Sequence, residues 1–207
     1  VRRGAGGIAG RPKVLGVNGG YHGTVDDTFV SLESGRTVNS PGLLGQVADL
    51  TQTAVCCEFN DLAGVETALA QGDVAAILTE PVMTNSCMVL PEAGFHDGLR
   101  QLSMKYGALL IMDETHTISS GLGGYTRVHS LRPDIFAVGK CVAGGMPTAV
   151  WGLTDETAKR YEAVNANRPS GRSGMGTTLS ANPMQFACLV ANLSQVMTPE
   201  NYAHLEK

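Results

Sequence analysis

Two short apolar runs, each ended by polar or glycine residues, constrain the fold more than any other feature of the sequence. The first covers residues 109–112 and stops at Asp113, and the second covers Ile135–Val138 and stops at Gly139 and Lys140. Apolar runs of this length, bounded by turn signals, are typical of strands buried on both faces of a parallel sheet. Because ligands collect outside the carboxyl ends of such strands, we expect Asp113 and Lys140 to face one crevice.

The remainder of the chain alternates strand signals with helix signals. Strands are predicted at 13–17, 54–58, 74–78 and 148–153, and helices at 61–71, 95–106, 154–163 and 181–197. Residues 25–47 contain turn residues throughout and show only weak periodicity. The alternation predicts an α/β fold, a three-layer α/β/α sandwich with a mostly parallel sheet. We find no internal repeat and no interdomain linker.

A lysine and an aspartate at neighbouring strand ends suit one kind of chemistry. In an apolar crevice the charged form of a lysine is disfavoured, so that more of it is the nucleophilic free amine. Such an amine forms Schiff bases with carbonyl compounds, pyridoxal phosphate (PLP) among them. An aspartate that faces the pyridine nitrogen of PLP keeps that nitrogen protonated. Taken alone, the residues leave a plainer alternative open, in which Asp113 caps a helix and Lys140 is a solvated loop lysine.

Seven motifs follow one another along the chain in a recognisable order. They are Gly10-Arg11-Pro12-Lys13-Val14-Leu15, Gly19-Gly20-Tyr21-His22-Gly23-Thr24, Thr79-Glu80-Pro81-Val82, Ile111-Met112-Asp113-Glu114-Thr115-His116-Thr117, Pro133-Asp134-Ile135-Phe136-Ala137-Val138-Gly139-Lys140, Gly144-Gly145-Met146-Pro147 and Thr178-Leu179-Ser180-Ala181-Asn182-Pro183. Together they resemble the class III PLP-dependent aminotransferases of fold type I, and within them the branch similar to glutamate-1-semialdehyde aminomutase. The resemblance covers nearly the whole chain. It implies an enzyme that moves an amino group between an amino compound and a keto acid through a lysine Schiff base.

The resemblance also implies a set of residues that contact PLP. These expected cofactor contacts are Lys140, Asp113, Tyr21, His22, Thr115, Thr178 and Glu80, with Lys140 and Asp113 as the catalytic pair. Tyr21 and Thr115 would hold the ring between them, and Glu80 would lie near the substrate side. Thr178 matches a threonine that bonds the PLP phosphate of the neighbouring subunit, which implies a homodimer with shared sites. Without the resemblance, Tyr21 would be a turn residue, Glu80 a solvated loop carboxylate and Thr178 a helix cap.

Departures from the family pattern leave the substrate open. Thr115 stands where many relatives carry a valine packed on the ring, and His116 and Ser120 also differ from the commoner residues. We expect His116 to bond a loop carbonyl. An alternative function is a PLP-dependent aminomutase acting on an amino aldehyde such as glutamate-1-semialdehyde, which would need no separate keto acceptor. Another is a catalytically inactive PLP-fold remnant with a structural role.

Composition and charge narrow the range of partners. Hydrophobic residues make up 43% and charged residues 16% of the 207 residues, which suits a globular interior rather than disorder. The formal net charge of −4 and the pI of 5.7 provide no basic footprint for nucleic acid. We find no apolar stretch long enough to span a bilayer and no secretory signal, and therefore expect no membrane partner and a cytoplasmic location.

The metal-binding residue types show no ligand spacing. The five histidines are scattered, so we expect no metal site. The five cysteines are odd in number and form no CxxC pair, which favours reduced thiols. These residues are His22, His96, His116, His129, His204, Cys56, Cys57, Cys87, Cys141 and Cys188.

Both ends of the sequence differ from the resembled family. The glycine-rich opening, residues 1–7, is expected to lead straight into a strand, and Thr198 with Pro199 begins a helix at the other end. The family has a glycine-threonine turn for the cofactor phosphate before this region and a small domain after it. We therefore expect residues 1–207 to be the central part of the PLP-binding large domain, without the N-terminal segment and the C-terminal small domain.

Overall fold

A six-stranded sheet forms the centre of the protein. The computed structural model describes residues 2–167, 169, 176 and 178–205. The strands are β1 (Lys13–Val17), β2 (Val30–Glu33), β3 (Arg36–Asn39), β4 (Ala54–Cys57), β5 (Val74–Thr79), β6 (Leu109–Asp113), β7 (Ile135–Val138) and β8 (Val150–Leu153). Six of them pair in the order β4-β1-β5-β6-β7-β8, and β2 and β3 form a separate hairpin. Every neighbouring pair of the large sheet is parallel except β7 with β8.

Helices cover both faces of the sheet. They are α1 (Arg2–Ala9), α2 (Leu62–Leu69), α3 (Phe95–Tyr106), α4 (Gly124–Val128), α5 (Asp155–Ala166), α6 (Pro183–Gln195) and α7 (Pro199–Leu205). Side chains of β6 alternate between the faces, as the two-residue period of a strand requires. Leu110 packs with Val65 and Leu99 of α2 and α3, whereas Leu109 packs with Ala5 of α1 on the opposite face. The predicted three-layer α/β/α sandwich with a mostly parallel sheet is therefore confirmed.

Local signals account for several element boundaries. The Asp61 side chain accepts a hydrogen bond from the backbone N–H of Gly64 (2.9 Å) and so caps α2, at the start of the helix predicted over 61–71. Gly107 ends α3 in the left-handed conformation, with φ +64°, where glycine carries no steric penalty. The side chain of Asn182 caps α6 by accepting from the N–H of Gln185, so this helix begins at Pro183, two residues after the predicted start.

The glycine-rich opening forms helix α1, so the expectation that it leads straight into a strand is wrong. Ala5 is completely buried against the sheet. An added Cβ on Gly4 would lie 3.9 Å from Tyr161, and one on Gly7 3.6 Å from Val164. The small residues therefore let α5 approach α1 closely, and this packing overrides the poor helix propensity of glycine.

A second difference is the hairpin of β2 and β3, which lies in the segment where only weak periodicity was found. Ser34 and Gly35 connect the strands, and both have positive φ, 49° and 76°. Two consecutive residues with positive φ are the signature of a type I′ turn, whose twist matches that of the two strands. The Ser-Gly pair is thus the local signal that could have revealed the hairpin.

The cysteines form no disulfide bond among the residues that the structure describes. All five cysteines lie in the described part of the chain and are free. Burial is the main reason that the pKa of Cys56 is raised to about 12 and that of Cys57 to about 11, so both remain protonated thiols near neutral pH.

Within the residues that the structure describes, no helix has the length and apolar character needed to cross a membrane.

The buried side chain of Glu114 organises the turn that follows β6. Its carboxylate accepts hydrogen bonds from the Thr117 hydroxyl (2.5 Å) and from the backbone N–H groups of Tyr125 (3.1 Å) and Thr126. A Cβ on Gly124 would lie 2.7 Å from Glu114 Oε2, and Gly124 has φ +73°, so a glycine is required there. The carboxylate thus joins the end of β6 to the start of α4 and holds the backbone next to Asp113.

Replacing Glu114 by glutamine tests this arrangement. The amide has one oxygen for three donors, and its NH₂ group would face a backbone N–H. We therefore expect Glu114→Gln to lower the free energy of unfolding by about 1–3 kcal/mol, measured by urea denaturation. Glu66→Gln is the control: its exposed pair with Lys105 (2.6 Å) contributes little, so its unfolding midpoint should stay unchanged. Equal midpoints for both variants would contradict the role of Glu114.

Candidate active site

Five candidate residues follow four neighbouring strands at one edge of the sheet. Tyr21 and His22 lie in the loop after β1, Glu80 directly follows β5, Asp113 ends β6, and Lys140 comes two residues after β7. These four strands are mutually parallel, so that their carboxyl ends point the same way. This is the edge at which α/β sheets bind their ligands.

Asp113 is held by two hydrogen bonds from different parts of the chain. The Nδ1–H of His22 donates to Oδ2 (2.8 Å), and the backbone N–H of Thr115 donates to Oδ1 (3.0 Å). The side chains of His22 and Asp113 are only 7% and 14% exposed. Since a carboxylate only accepts hydrogen bonds, His22 must be the donor. In the neutral form of its ring, the proton therefore lies on Nδ1. The loop after β1 therefore reaches past β5 to fix a side chain of β6.

The surroundings of Asp113 favour its ionised form. Burial acts to raise the pKa of this carboxyl, but the hydrogen bonds from His22 and Thr115 outweigh burial, and the pKa lies below its ordinary value. Asp113 is therefore negatively charged at neutral pH. Each of its oxygens accepts one hydrogen bond, while a carboxylate offers about four lone-pair positions. It can thus accept a further N–H donor.

Lys140 begins a short 3₁₀ turn directly after Gly139, with φ +49°. Its side chain lines a cleft of about 630 Å³, which we call the Lys140 cleft. The residues lining this cleft are Val82, Thr84, Met88, Leu90, Thr115, His116, Thr117, Ser119, Ser120, Tyr125, His129, Lys140 and Cys141. Thr115 packs beside the start of the turn, since a Cβ on Gly139 would lie 3.7 Å from its side chain. Lys140 itself is exposed, so this chain alone does not enclose it in the expected apolar crevice.

Glu80 ties two loops together. Its side chain is 6% exposed, with Oε1 accepting from the backbone N–H of Tyr21 (3.3 Å) and Oε2 from the Thr84 hydroxyl (2.8 Å). This burial excludes the plainer reading of Glu80 as a solvated loop carboxylate. The ring of Tyr21 remains half-exposed although its backbone is anchored.

The contact of His116 corrects one expectation and reveals a residue that sequence reasoning missed. His116 Nδ1 hydrogen-bonds the hydroxyl of Thr84 instead of a loop carbonyl, so the expected carbonyl partner is wrong. The same nitrogen lies 4.0 Å from Glu80 Oε2. Thr84 follows Glu80 by four residues beyond β5, and no motif in the sequence marked it.

Thr178 stands apart from the other predicted contacts. It is exposed, lies in the turn that precedes α6, and is not among the residues that line the Lys140 cleft. Asp113, His22, Tyr21 and Glu80 also lie outside that lining, whereas Thr115 and Lys140 belong to it. In the described part of the chain, no three His, Cys, Asp or Glu side chains are grouped closely enough to hold a metal ion.

Known proteins resemble this chain over nearly its whole length. A glutamate-1-semialdehyde 2,1-aminomutase of Saccharolobus islandicus is 36% identical over 192 residues, 92% of this chain and 44% of its own length. The crystal structure of a glutamate-1-semialdehyde-aminomutase from Pseudomonas aeruginosa PAO1 is 45% identical with a TM-score of 0.92, covering 99% of this chain and 46% of that one. A lysine-to-alanine variant of the Pseudomonas enzyme in complex with PMP gives 44% identity and a TM-score of 0.92. An omega-transaminase from Sphaerobacter thermophilus is 30% identical with a TM-score of 0.80, covering 96% of this chain and 46% of that one.

The chain spans a little under half the length of these relatives. The profile of the family described as aminotransferase class-III matches residues 3–206. With the strand-end aspartate, the lysine and the sandwich fold already in place, this match identifies the chain as a member of the class-III aminotransferase family.

Proposed function

We propose that the protein is a PLP-dependent aminotransferase that moves an amino group between an amino compound and a keto acid. The observation that carries the proposal is the Asp113 carboxylate, kept ionised by His22 and Thr115 at the edge where Lys140 follows the next strand. Membership of the class-III family supports it. The complex of the Pseudomonas relative with PMP supports the cofactor.

The residues present fit PLP. A protonated pyridine nitrogen carries one N–H, and Asp113 has acceptor capacity left for one donor of this kind. Asp113 is charged and partly exposed, so the pairing needs no change in its protonation. Asp113 at the end of β6 pairs with Ala137 of β7, and Lys140 follows Ala137 by three residues at the same edge of the sheet. We propose that the half-exposed ring of Tyr21 and the side chain of Thr115 lie on the two faces of the cofactor ring.

Each of these residues has a defined task in the proposed reaction. Bound PLP would supply the electron sink for the carbanion that forms when the α-proton of the amino compound leaves. The Lys140 amine would hold the cofactor covalently and then, once displaced by the amino compound, act as the general base for that proton. Asp113 would keep the ring nitrogen protonated, and His22 would keep Asp113 oriented and ionised. Glu80 would hold the Tyr21 backbone in place.

A second candidate is an aminomutase, favoured by the names of the relatives in Saccharolobus islandicus and Pseudomonas aeruginosa. Such an enzyme would act on an amino aldehyde such as glutamate-1-semialdehyde and return the amino group to the same molecule. Turnover of glutamate-1-semialdehyde without an added keto acid would identify the aminomutase, and an absolute requirement for a keto acid the aminotransferase. An inactive remnant of the fold is disfavoured by the retention of both Asp113 and Lys140.

Three further properties belong to the same proposal. The protein would act as a homodimer in which Thr178 reaches the phosphate group in the partner's site, as its exposed position before α6 permits. Residues 1–207 would be the central part of a PLP-binding large domain, which the coverage of 44–46% of the relatives supports. The location would be the cytoplasm, consistent with the free thiols.

Lys140→Ala tests the covalent attachment. The full-length protein is incubated with PLP and borohydride, digested and examined by peptide mass spectrometry. We expect reduction to fix PLP on the peptide containing Lys140, and the label to disappear in the variant. Lys105→Ala, a change at an exposed helix residue, should label like the wild type. Labelling that survives in Lys140→Ala would refute the assignment.

Asp113→Asn tests the partner of the ring nitrogen. The amide keeps the size of the side chain but loses the negative charge that stabilises the protonated ring. The variant should retain some PLP while kcat falls by at least about 100- to 1,000-fold, the range found when a preorganised electrostatic group is removed. Asp97→Asn, on the exposed side of α3, provides the control. Near-normal turnover in Asp113→Asn would mean that another group faces the nitrogen.

His22→Ala tests how Asp113 is kept ionised. The change removes the hydrogen bond that His22 donates to Asp113, while the hydrogen bond from the Thr115 backbone remains. The pKa of Asp113 should therefore rise. In the wild type this pKa is depressed on folding, so the stability it contributes is present above the ordinary aspartate pKa of about 3.9 and is lost as the pH falls through the lower, folded value. The variant should lose part of that contribution. Carbon-13 NMR titration of the Asp113 carboxyl measures the shift, and an unchanged pKa would contradict the role of His22.

A further inference from the structure

Glu80, Thr84 and His116 form a hydrogen-bonded chain that ends at the Lys140 cleft. Glu80 is an acceptor only, and its Oε2 takes the hydroxyl proton of Thr84 (2.8 Å). Thr84 has no second proton to donate, so its oxygen must accept the hydrogen bond that joins it to His116 Nδ1. These two hydrogen bonds therefore require that, in the neutral form of the His116 ring, the proton lies on Nδ1.

The second ring nitrogen of His116 is then a hydrogen-bond acceptor. A neutral imidazole with its proton on Nδ1 carries a lone pair on Nε2. His116 lines the cleft with 30% of its side chain exposed. Its Nε2 makes no hydrogen bond to any residue that the structure describes. The Glu80 carboxylate behind Thr84 is 6% exposed and is also held by the backbone N–H of Tyr21.

The other groups of the cleft do not duplicate this feature. Val82, Met88 and Leu90 contribute an apolar wall. The ring of His129 stacks on Tyr125, with centroids 3.8 Å apart and an angle of 24° between the planes. Thus, among the described residues of the lining, His116 and not His129 is linked through hydrogen bonds to a buried carboxylate.

We propose that His116 is a substrate-contacting residue, whose Nε2 accepts a hydrogen bond from the amino compound in the Lys140 cleft. Thr84 and Glu80 are positioning residues that hold the required tautomer. The proposal rests on the proposed function for the nature of the ligand, but the tautomer is a property of the protein alone. The hydrogen that Nε2 accepts can come from any polar N–H or O–H that the amino compound brings to His116, including an N–H of the amino group of glutamate-1-semialdehyde.

The tautomer is tested first, by NMR of the full-length protein labelled with nitrogen-15 in the histidine side chains. The wild type should show the His116 proton on Nδ1. Thr84→Val, which keeps the shape of the side chain but removes the hydroxyl, should convert this signal to a mixture of tautomers, whereas Thr84→Ser should preserve it. A proton on Nε2 in the wild type, or an unchanged Nδ1 signal in Thr84→Val, would overturn the assignment.

The contact with substrate is tested by two amides that imitate different halves of the imidazole. Asparagine at position 116 places a polar group near Nδ1 and nothing at Nε2, whereas glutamine reaches the position of Nε2 with an oxygen that can accept. We expect His116→Asn to raise KM for glutamate-1-semialdehyde about tenfold with kcat within about twofold, and His116→Gln to restore much of the loss. His204→Asn, on the exposed side of α7, should match the wild type.

Two outcomes separate this inference from the proposed function. Equal KM values for the wild type and His116→Asn, or a loss confined to kcat, would refute the substrate contact even if the enzyme is an aminotransferase. If the wild type turns over no amino compound, the proposed function fails, and with it the substrate contact. The NMR result then still decides whether Thr84 and Glu80 fix the His116 tautomer.

Discussion

The parallel pairing of β6 with β5 and β7 is the constraint on which the candidate site depends. Ala76 pairs with Leu109 and Asp113 with Ala137, so the residues that leave these three strands emerge side by side. Parallel strands require long crossover connections, here supplied by helices that bury both faces of the sheet. The polar residues after each strand are therefore confined to one edge, where the backbone can turn away and a ligand can approach.

Three carboxylates at this edge are used in different ways. Glu114 is completely buried and holds the backbone of the following turn, while Glu80 joins the β1 loop to Thr84. Asp113 keeps acceptor capacity and some exposure. A buried charge without partners is very costly, so each carboxylate has at least two hydrogen-bond donors. Glu80 and Asp113 each accept two hydrogen bonds, but the side chain of Asp113 is 14% exposed and that of Glu80 6%, so Asp113 has the exposure that the proposed contact with a ligand needs.

The side-chain pattern was sufficient for much of the fold. Strands β1 and β7 and helix α3 occupy the predicted residues, because each combines a clear apolar period with turn or glycine signals at its ends. Helix α1 was not predictable in this way, since its glycines favour a helix only when α5 packs against them. The antiparallel direction of β8 was equally hidden, because a strand's own sequence does not specify the direction of its neighbour.

The sequence by itself determined which residues stand at the strand ends, among them Asp113, Glu80 and Lys140, because apolar runs and their stops are local features. Only the tertiary structure decided which side chains meet. His22 lies 91 positions from Asp113, and His116 lies 32 positions from Thr84. The geometry of such contacts depends on how the loops after β1, β5 and β6 fold over a shared edge. Neither periodicity nor spacing records that arrangement, because no local interaction specifies it.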